Sequence, residues 1–176
     1  MLVVFDTQFV ALLLHPSARV PDDPAMSAPV TNAAGRIALL VSILEEQGAI
    51  ILIPTPALAE FLVLAKADGP KYLNELRDHA AFKIEPFDEL AAVEAGAMEV
   101  TARTEGDKRG GATGDWQKVK VDRQVVAIAK TRNAARIYSD DPDIRALGKR
   151  EDIPVVGVHE LPLPAPESGA LNFEGA

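Results

Sequence analysis

Short apolar segments alternate with longer amphipathic segments along most of the chain. Leu2–Phe5 and Ala49–Ile53 are apolar runs typical of buried strands, and a helical spacing of apolar residues over 33–47 stops at Gly48. The same pattern predicts strands at 82–86, 136–139 and 154–158, and helices at 9–14, from Thr55-Pro56 onward, at 70–80, 88–103 and 121–134, and from Pro142. Strands that alternate with helices predict an α/β fold with a mostly parallel central sheet.

Three segments do not follow this alternation. Residues 15–32 contain four prolines, which predicts a long surface loop inserted after the first helix. Residues 104–117 contain four glycines and predict a flexible loop. Residues 162–176 contain three prolines and no periodicity, which predicts an extended or disordered C-terminal tail. We therefore expect one domain over residues 1–161.

The composition limits the chemistry. The chain has no cysteine and three widely separated histidines, so a metal ion must be bound mainly by oxygen atoms. A formal net charge of −8 argues against a nucleic-acid partner, because such proteins usually carry a basic surface. The apolar runs are too short to span a bilayer, so we expect a cytoplasmic protein with no membrane partner.

Acidic residues follow predicted strands, where ligands of parallel α/β sheets collect. Asp6 ends the first strand, and Asp140 and Asp141 follow strand 136–139. Asp122 shares a helical face with apolar Val125, so we expect it to point toward the core. The alternative for Asp6, Asp122 and Asp141 is that each caps a helix.

Glu60 is the only charged residue in the run 56–65, whose apolar side chains predict a buried helix. A buried carboxylate needs a metal, a hydrogen-bond network or a basic partner. No basic residue is evident among Asp6, Glu60, Asp122 and Asp141. Like charges held together raise their pKa values or bind cations, so the sequence predicts a site for Mg²⁺ or Mn²⁺.

The order and spacing of these acids resemble the acidic signature of PIN domains over roughly residues 1–160. The residues that carry the resemblance are Asp6-Thr7, Glu60, the run Asp122-Arg123-Gln124-Val125-Val126-Ala127-Ile128-Ala129, and Ser139-Asp140-Asp141. The resemblance implies a three-layer α/β/α sandwich, a Mg²⁺- or Mn²⁺-dependent endoribonuclease, and membership of the VapC-like toxins. Membership of that toxin group in turn implies an antitoxin partner and a homodimer.

The resemblance also implies roles for single residues. Asp6, Glu60, Asp122 and Asp141 correspond to the catalytic, metal-binding acids, with Asp140 as the alternative to Asp141. Thr7 and Ser139 correspond to hydroxyl groups near the metal or the scissile phosphate. The insertion at 15–32 and the tail after Leu161 are longer than in the compact toxins, which bears on substrate access and partner binding.

Six basic residues lie within 103–123 and answer the objection raised by the net charge. They are predicted to bind the RNA backbone: Arg103, Lys108, Arg109, Lys118, Lys120 and Arg123. The alternative is a solvated loop, with Trp116 as its anchor in the core rather than a platform for a base. The alternative for the whole chain is a catalytically silent PIN-like module that serves in binding or assembly.

Overall fold

The computed structural model describes residues 1–165, which form one five-stranded parallel sheet flanked by helices and a small hairpin. The strands are β1 (Leu2–Phe5), β2 (Asp22–Asp23), β3 (Ala28–Pro29), β4 (Ile50–Pro54), β5 (Phe82–Glu85), β6 (Ile137–Tyr138) and β7 (Val155–Val156). The helices are α1 (Thr7–Leu14), α2 (Ala33–Glu46), α3 (Thr55–Ala65), α4 (Gly69–Asp78), α5 (Glu89–Thr104), α6 (Trp116–Thr131) and α7 (Pro142–Arg150). Across residues 1–165, no helix has the length and apolarity needed to cross a membrane.

The two faces of the sheet pack against separate sets of helices. Val3 and Phe5 of β1 join a core cluster with residues of α1, α2 and α4. Val4 points to the opposite face, where it packs with Leu52 and with residues of α6 and α7. Successive strand residues alternate between faces, so the run Leu2–Phe5 is apolar throughout because both faces are covered. The predicted three-layer α/β/α sandwich is confirmed.

The strand order places β1 in the centre of the sheet, in the sequence β5-β4-β1-β6-β7. From β1 the chain continues to β4 on one side, whereas β6 lies on the other side and leads to β7. The neighbouring strands β1 and β6 therefore have connections that run in opposite directions. Such a switch point opens a crevice at the carboxyl ends of the two strands.

Helix α6 begins five residues earlier than the sequence predicts, at Trp116 rather than at 121. Val119 is buried in its first turns, and Lys118 forms an i,i+4 ion pair with Asp122. Both contacts favour helical backbone over 116–120. The glycine-containing loop consequently ends at Asp115 rather than at 117.

The insertion at 15–32 contains more structure than the predicted surface loop. Strands β2 and β3 pair as a short antiparallel hairpin, and Val30 is buried in the core cluster of α1 and α2. At the other end of the chain, residues 162–165 contain no helix or strand. The remainder of the predicted tail, 166–176, lies outside the described residues, and the domain division at 161 stays a prediction.

Candidate metal centre

A cavity of about 500 Å³ opens at the carboxyl edge of the sheet, over the crevice between β1 and β6. All four predicted catalytic acids and Asp140 line it. The lining residues are Asp6, Thr7, Gln8, Arg19, Pro21, Glu60, Lys118, Val121, Asp122, Val125, Asp140, Asp141, Pro142 and Ile144. The elements β1, α3, α6 and β6, distant in sequence, bring these side chains together because their ends meet at the switch point.

Three carboxylates form a compact group beside this cavity, and two of them, Asp122 and Asp141, line it. Asp122, Asp141 and Asp143 each offer an oxygen atom, and these atoms lie within 4.8 Å of one another. Asp122 is 6% exposed and Asp143 is 4% exposed, so two of the three are largely shielded from water. Asp122 comes from α6, whereas Asp141 and Asp143 lie at the start of α7.

The ammonium group of Lys118 lies among these carboxylates. Its Nζ is 2.7 Å from Asp122 Oδ2, 2.7 Å from Asp141 Oδ2 and 3.1 Å from Asp143 Oδ2. The expectation that no basic residue accompanies the acids is therefore wrong. The sequence also groups Lys118 with the RNA-binding residues of the loop, and the structure places its charged end in the acidic group instead.

Asp6 is 3% exposed and caps α1, since its Oδ1 accepts a hydrogen bond from the Phe9 N–H at 2.9 Å. Its Oδ2 accepts a hydrogen bond from the Ser139 hydroxyl. Ser139 Oγ in turn accepts from the Asp141 N–H at 3.0 Å, so this buried hydroxyl connects the ends of β1 and β6. The capping role and the position in the cavity thus occur together at Asp6.

Asp141 shows the same combination of roles. Its Oδ1 accepts from the Asp143 N–H at 2.8 Å and caps α7, while its Oδ2 faces Lys118. Asp140 points elsewhere: its Oδ1 accepts from the Val158 N–H at 2.9 Å, beside β7. The structure therefore brings Asp141, rather than Asp140, into the group with Asp122 and Asp143.

Burial controls the electrostatics of the site. Burial raises the pKa of Asp6 to about 7, although the hydrogen bonds from Ser139 and Phe9 oppose the shift and the charges of Asp140 and Asp141 add to it. Burial also raises the pKa of Asp122 to about 6 against the opposing effect of Lys118. The pocket thus contains carboxylates whose ionised forms lack sufficient stabilisation from the protein.

Asp143 has the opposite shift. Burial alone would raise its pKa, but hydrogen bonds from the Thr113 N–H at 2.7 Å and from Lys118, with a further bond from the Gly114 N–H, lower it. A carboxylate with several donors stays ionised at neutral pH. Asp143 is therefore a permanent negative charge in the group.

Glu60 does not have the buried position predicted for it. The side chains of Glu60, Val63 and Leu64 are exposed, so α3 presents part of its apolar surface to solvent. Glu60 still lines the cavity, and its Oε2 accepts a hydrogen bond from the Thr7 hydroxyl at 2.6 Å. Thr7 therefore holds Glu60 at the wall of the cavity.

The structure adds two residues to those predicted for the site. Asp143 follows Pro142 in the first turn of α7, where acidic residues are common, so its presence there does not by itself indicate a site. The sequence signal that could have identified it is its spacing of two residues from Asp141. Arg19 lines the cavity from the insertion, and its carbonyl oxygen accepts a hydrogen bond from Gln8 Nε2. The 15–32 segment thus contributes a positive charge to the rim, which its composition did not reveal.

Four of the five other predicted RNA-binding residues gather around Trp116, and Arg109 is the exception. Arg103, Lys108, Lys120 and Arg123 place their charged groups 5.1–5.6 Å from the centre of its ring. Arg123 is only 2% exposed and binds Glu99 and the Lys108 carbonyl oxygen, so it anchors the loop from inside the protein. Arg103 and Lys120 are exposed, as is Lys108, and Arg109 is half-buried.

The compact group fits a hard divalent cation. Three carboxylates and one ammonium leave an excess of two negative charges when all are ionised, and carboxylate oxygens are the ligands that Mg²⁺ and Mn²⁺ prefer. Asp6 and Glu60 add two more carboxylates to the lining of the adjacent cavity. The donor set contains no sulfur and no histidine lines the cavity, which is unlike a zinc site.

Comparison with known proteins gives similarity in structure but not in sequence. No family model and no curated protein matches the chain. A chain in the crystal structure of VapBC2 from Rickettsia felis, bound to a DNA fragment from their promoter, is 14% identical with a TM-score of 0.56, and the match covers 89% of this chain and 98% of that one. A chain in the crystal structure of DNA-bound VapBC from Salmonella typhimurium is 13% identical with a TM-score of 0.54. That match covers 90% of this chain and 99% of the other. The predicted resemblance to VapC-like PIN domains is thus confirmed for the fold, which this chain shares with chains of VapBC complexes.

Proposed function

We propose that this protein is a divalent-metal-dependent endoribonuclease of the PIN type. The observation that carries the proposal is the meeting of Asp122, Asp141 and Asp143 within 4.8 Å, next to a cavity that Asp122 and Asp141 line together with Asp6 and Glu60. These acids would hold Mg²⁺ or Mn²⁺. The chemistry that such a cation supplies is Lewis acidity, which activates water and offsets charge on phosphate oxygens.

The protein's own residues hold the acids in place. Ser139 fixes Asp6 relative to the start of α7, and Thr7 holds Glu60 at the cavity wall. Exposed Lys108 and Lys120, together with Trp116, offer a basic and aromatic surface for an RNA strand. This surface supports RNA as the substrate despite the net charge of −8.

The deciding experiment measures metal binding and RNA cleavage together. Isothermal titration with Mn²⁺ should show binding to the wild type and weaker or no binding in Asp6→Asn and Glu60→Gln. Cleavage of structured and unstructured RNAs should require the metal and should disappear in the same variants. Cleavage that survives both substitutions would identify a contaminating nuclease.

RNA binding has a separate test with a matched control. Lys108→Ala with Arg109→Ala should weaken RNA affinity and flatten its dependence on salt, because fewer counterions are released on binding. Lys71→Ala with Arg77→Ala removes the same charge from exposed positions of α4 and should leave the salt slope unchanged. Equal slopes for the two double variants would remove the loop from the binding surface.

The alternative function is a catalytically silent PIN-like binding or assembly module. The specific observation in its favour is Lys118, whose ammonium already binds all three carboxylates of the compact group. An absence of Mn²⁺ binding to a folded wild-type protein would support this alternative.

The same structural similarity supports two proposals about protein partners. We propose an antitoxin that forms a stable complex and suppresses cleavage, because the matched structures are described as VapBC complexes. Exposed apolar residues on α3 and α5, namely Val63, Leu64, Leu90, Val93 and Val100, support a homodimer. Sedimentation analysis of the isolated chain tests the dimer. A cytoplasmic location is a further proposal, and it rests on the similarity to chains of VapBC complexes.

A further inference from the structure

We propose that Lys118 competes with the divalent cation for the carboxylates of Asp122, Asp141 and Asp143, so that metal binding releases its ammonium group into the substrate cavity. The inference rests on the proposed function, because it concerns the same acids. According to this inference, Lys118 lowers the affinity of the carboxylates for the metal. When the metal binds, the released ammonium becomes a free positive charge beside the substrate.

The competition follows from the contacts. The ammonium lies 2.7, 2.7 and 3.1 Å from one oxygen of each carboxylate. Two of these carboxylates use their other oxygen elsewhere: Asp141 uses its Oδ1 as the α7 cap, and the Asp143 Oδ1 accepts from the Thr113 N–H. A cation bound by this group would need the oxygens that Lys118 binds, and two positive charges repel at such distances.

Release is feasible because only the end of the side chain is held. The Lys118 side chain is 42% exposed and lines the open cavity together with Arg19. A four-carbon stem with rotatable bonds can carry the ammonium from the carboxylates to the cavity without movement of α6. There it would lie on the wall of the space that an RNA phosphate enters, and ammonium groups bind phosphate well.

The first experiment compares Mn²⁺ affinity by isothermal titration. Lys118→Met keeps most of the length of the side chain and removes the charge, and it should bind Mn²⁺ at least about tenfold more tightly, because charge-assisted hydrogen bonds no longer have to be broken. Lys120→Met removes the same charge two residues away, outside the compact group, and should change affinity less than about twofold. Tighter binding in Lys118→Met alone supports the proposal.

The second experiment uses the wild-type chain, so it does not depend on the folding of a variant. Limited acetylation followed by mass spectrometry reports the reactivity of each lysine amine. Lys118 should react slowly in chelator and several-fold faster in saturating Mn²⁺, whereas exposed Lys120 should react equally in both. Reactivity of Lys118 that does not change on Mn²⁺ binding would overturn the release of the ammonium.

The outcomes separate this inference from the proposed function. Equal or weaker Mn²⁺ binding by Lys118→Met, with normal binding by the wild type, overturns the inference and leaves the metal site intact. No binding by either protein overturns both. Binding by Lys118→Met but not by the wild type overturns the release of the ammonium on metal binding, and it overturns the proposed function of the wild-type protein as well.

Discussion

Replacing Asp6 with asparagine should remove metal binding and at the same time stabilise the fold above neutral pH. Asparagine is close in size, its Oδ1 can still accept from the Phe9 N–H, and its Nδ2 can donate to Ser139 Oγ. The substitution therefore keeps the α1 cap and removes only the buried negative charge.

The magnitude follows from the raised pKa of Asp6. Its pKa is about 7 in the folded protein and 3.8 in the unfolded chain, so the unfolded chain loses the proton first as pH rises. The stability that the protonated group contributes is fully present below 3.8 and is lost as pH rises to about 7. The whole shift corresponds to a ceiling of about 4 kcal/mol. The asparagine side chain does not titrate, so the advantage of Asp6→Asn should be small at pH 4 and approach that ceiling at pH 8.

Urea denaturation in chelator at several pH values between 4 and 8 measures the difference. Asp88→Asn is a matched control, because Asp88 also caps a helix, α5, and accepts from the Ala91 N–H. The pKa of Asp88 is lowered by that bond and by Arg132, so its contribution is present above its unfolded pKa and lost as pH falls. Asp88→Asn should therefore cost stability at pH 8 and less at pH 4. A difference between wild type and Asp6→Asn that stays constant with pH would falsify the argument from burial.

Three further substitutions test separate parts of the structure. Glu60→Gln should lower Mn²⁺ affinity in a titration while changing the free energy of unfolding by less than about 0.5 kcal/mol, because the side chain is exposed; unchanged affinity would exclude Glu60 as a ligand. Arg123→Met should cost about 2 kcal/mol or more in urea denaturation by removing a buried ion pair, and unchanged stability would contradict its anchoring role. Gly114→Ala should lower Mn²⁺ affinity and speed tryptic cleavage of the loop, because an added Cβ would overlap Asp143 Oδ2, whereas Gly96→Ala, where the Cβ meets open space, should change neither.

The local pattern of apolar and polar residues was sufficient to predict the strands of the sheet and the presence of acidic residues at its carboxyl edge. Leu2–Phe5 is apolar at every position because both faces of β1 are buried, and the polar residue that ends such a run must lie at the carboxyl edge. Asp6 is located by this rule alone, whereas after the strand at 136–139 the rule leaves Asp140 and Asp141 as alternatives. The capping roles of Asp6 and Asp141 do not compete with a place in the cavity, because each carboxylate has a second oxygen atom for another contact.

The predictions that were wrong concern contacts between elements, which a local pattern of residues does not contain. An apolar helix such as α3 gives no sign of which apolar residues the core will leave uncovered, so the exposure of Val63 and Leu64 could not be predicted. The positions of Lys118 and Asp143 depend on the packing of α6 against α7, which brings together residues 25 positions apart. A charge that looks solvated in sequence can thus be the partner of a buried acid.

The attachment of Asp143 to the loop at 105–115 has a consequence for how the protein can diverge. The donors are the main-chain N–H groups of Thr113 and Gly114, so the contact depends on the course of the backbone and on the absence of a side chain at Gly114. Side chains at positions 108 and 109 can therefore be exchanged without loss of the carboxylate's donors. Evolution can therefore alter the side chains that the loop presents to solvent while Asp143 keeps its hydrogen-bond donors.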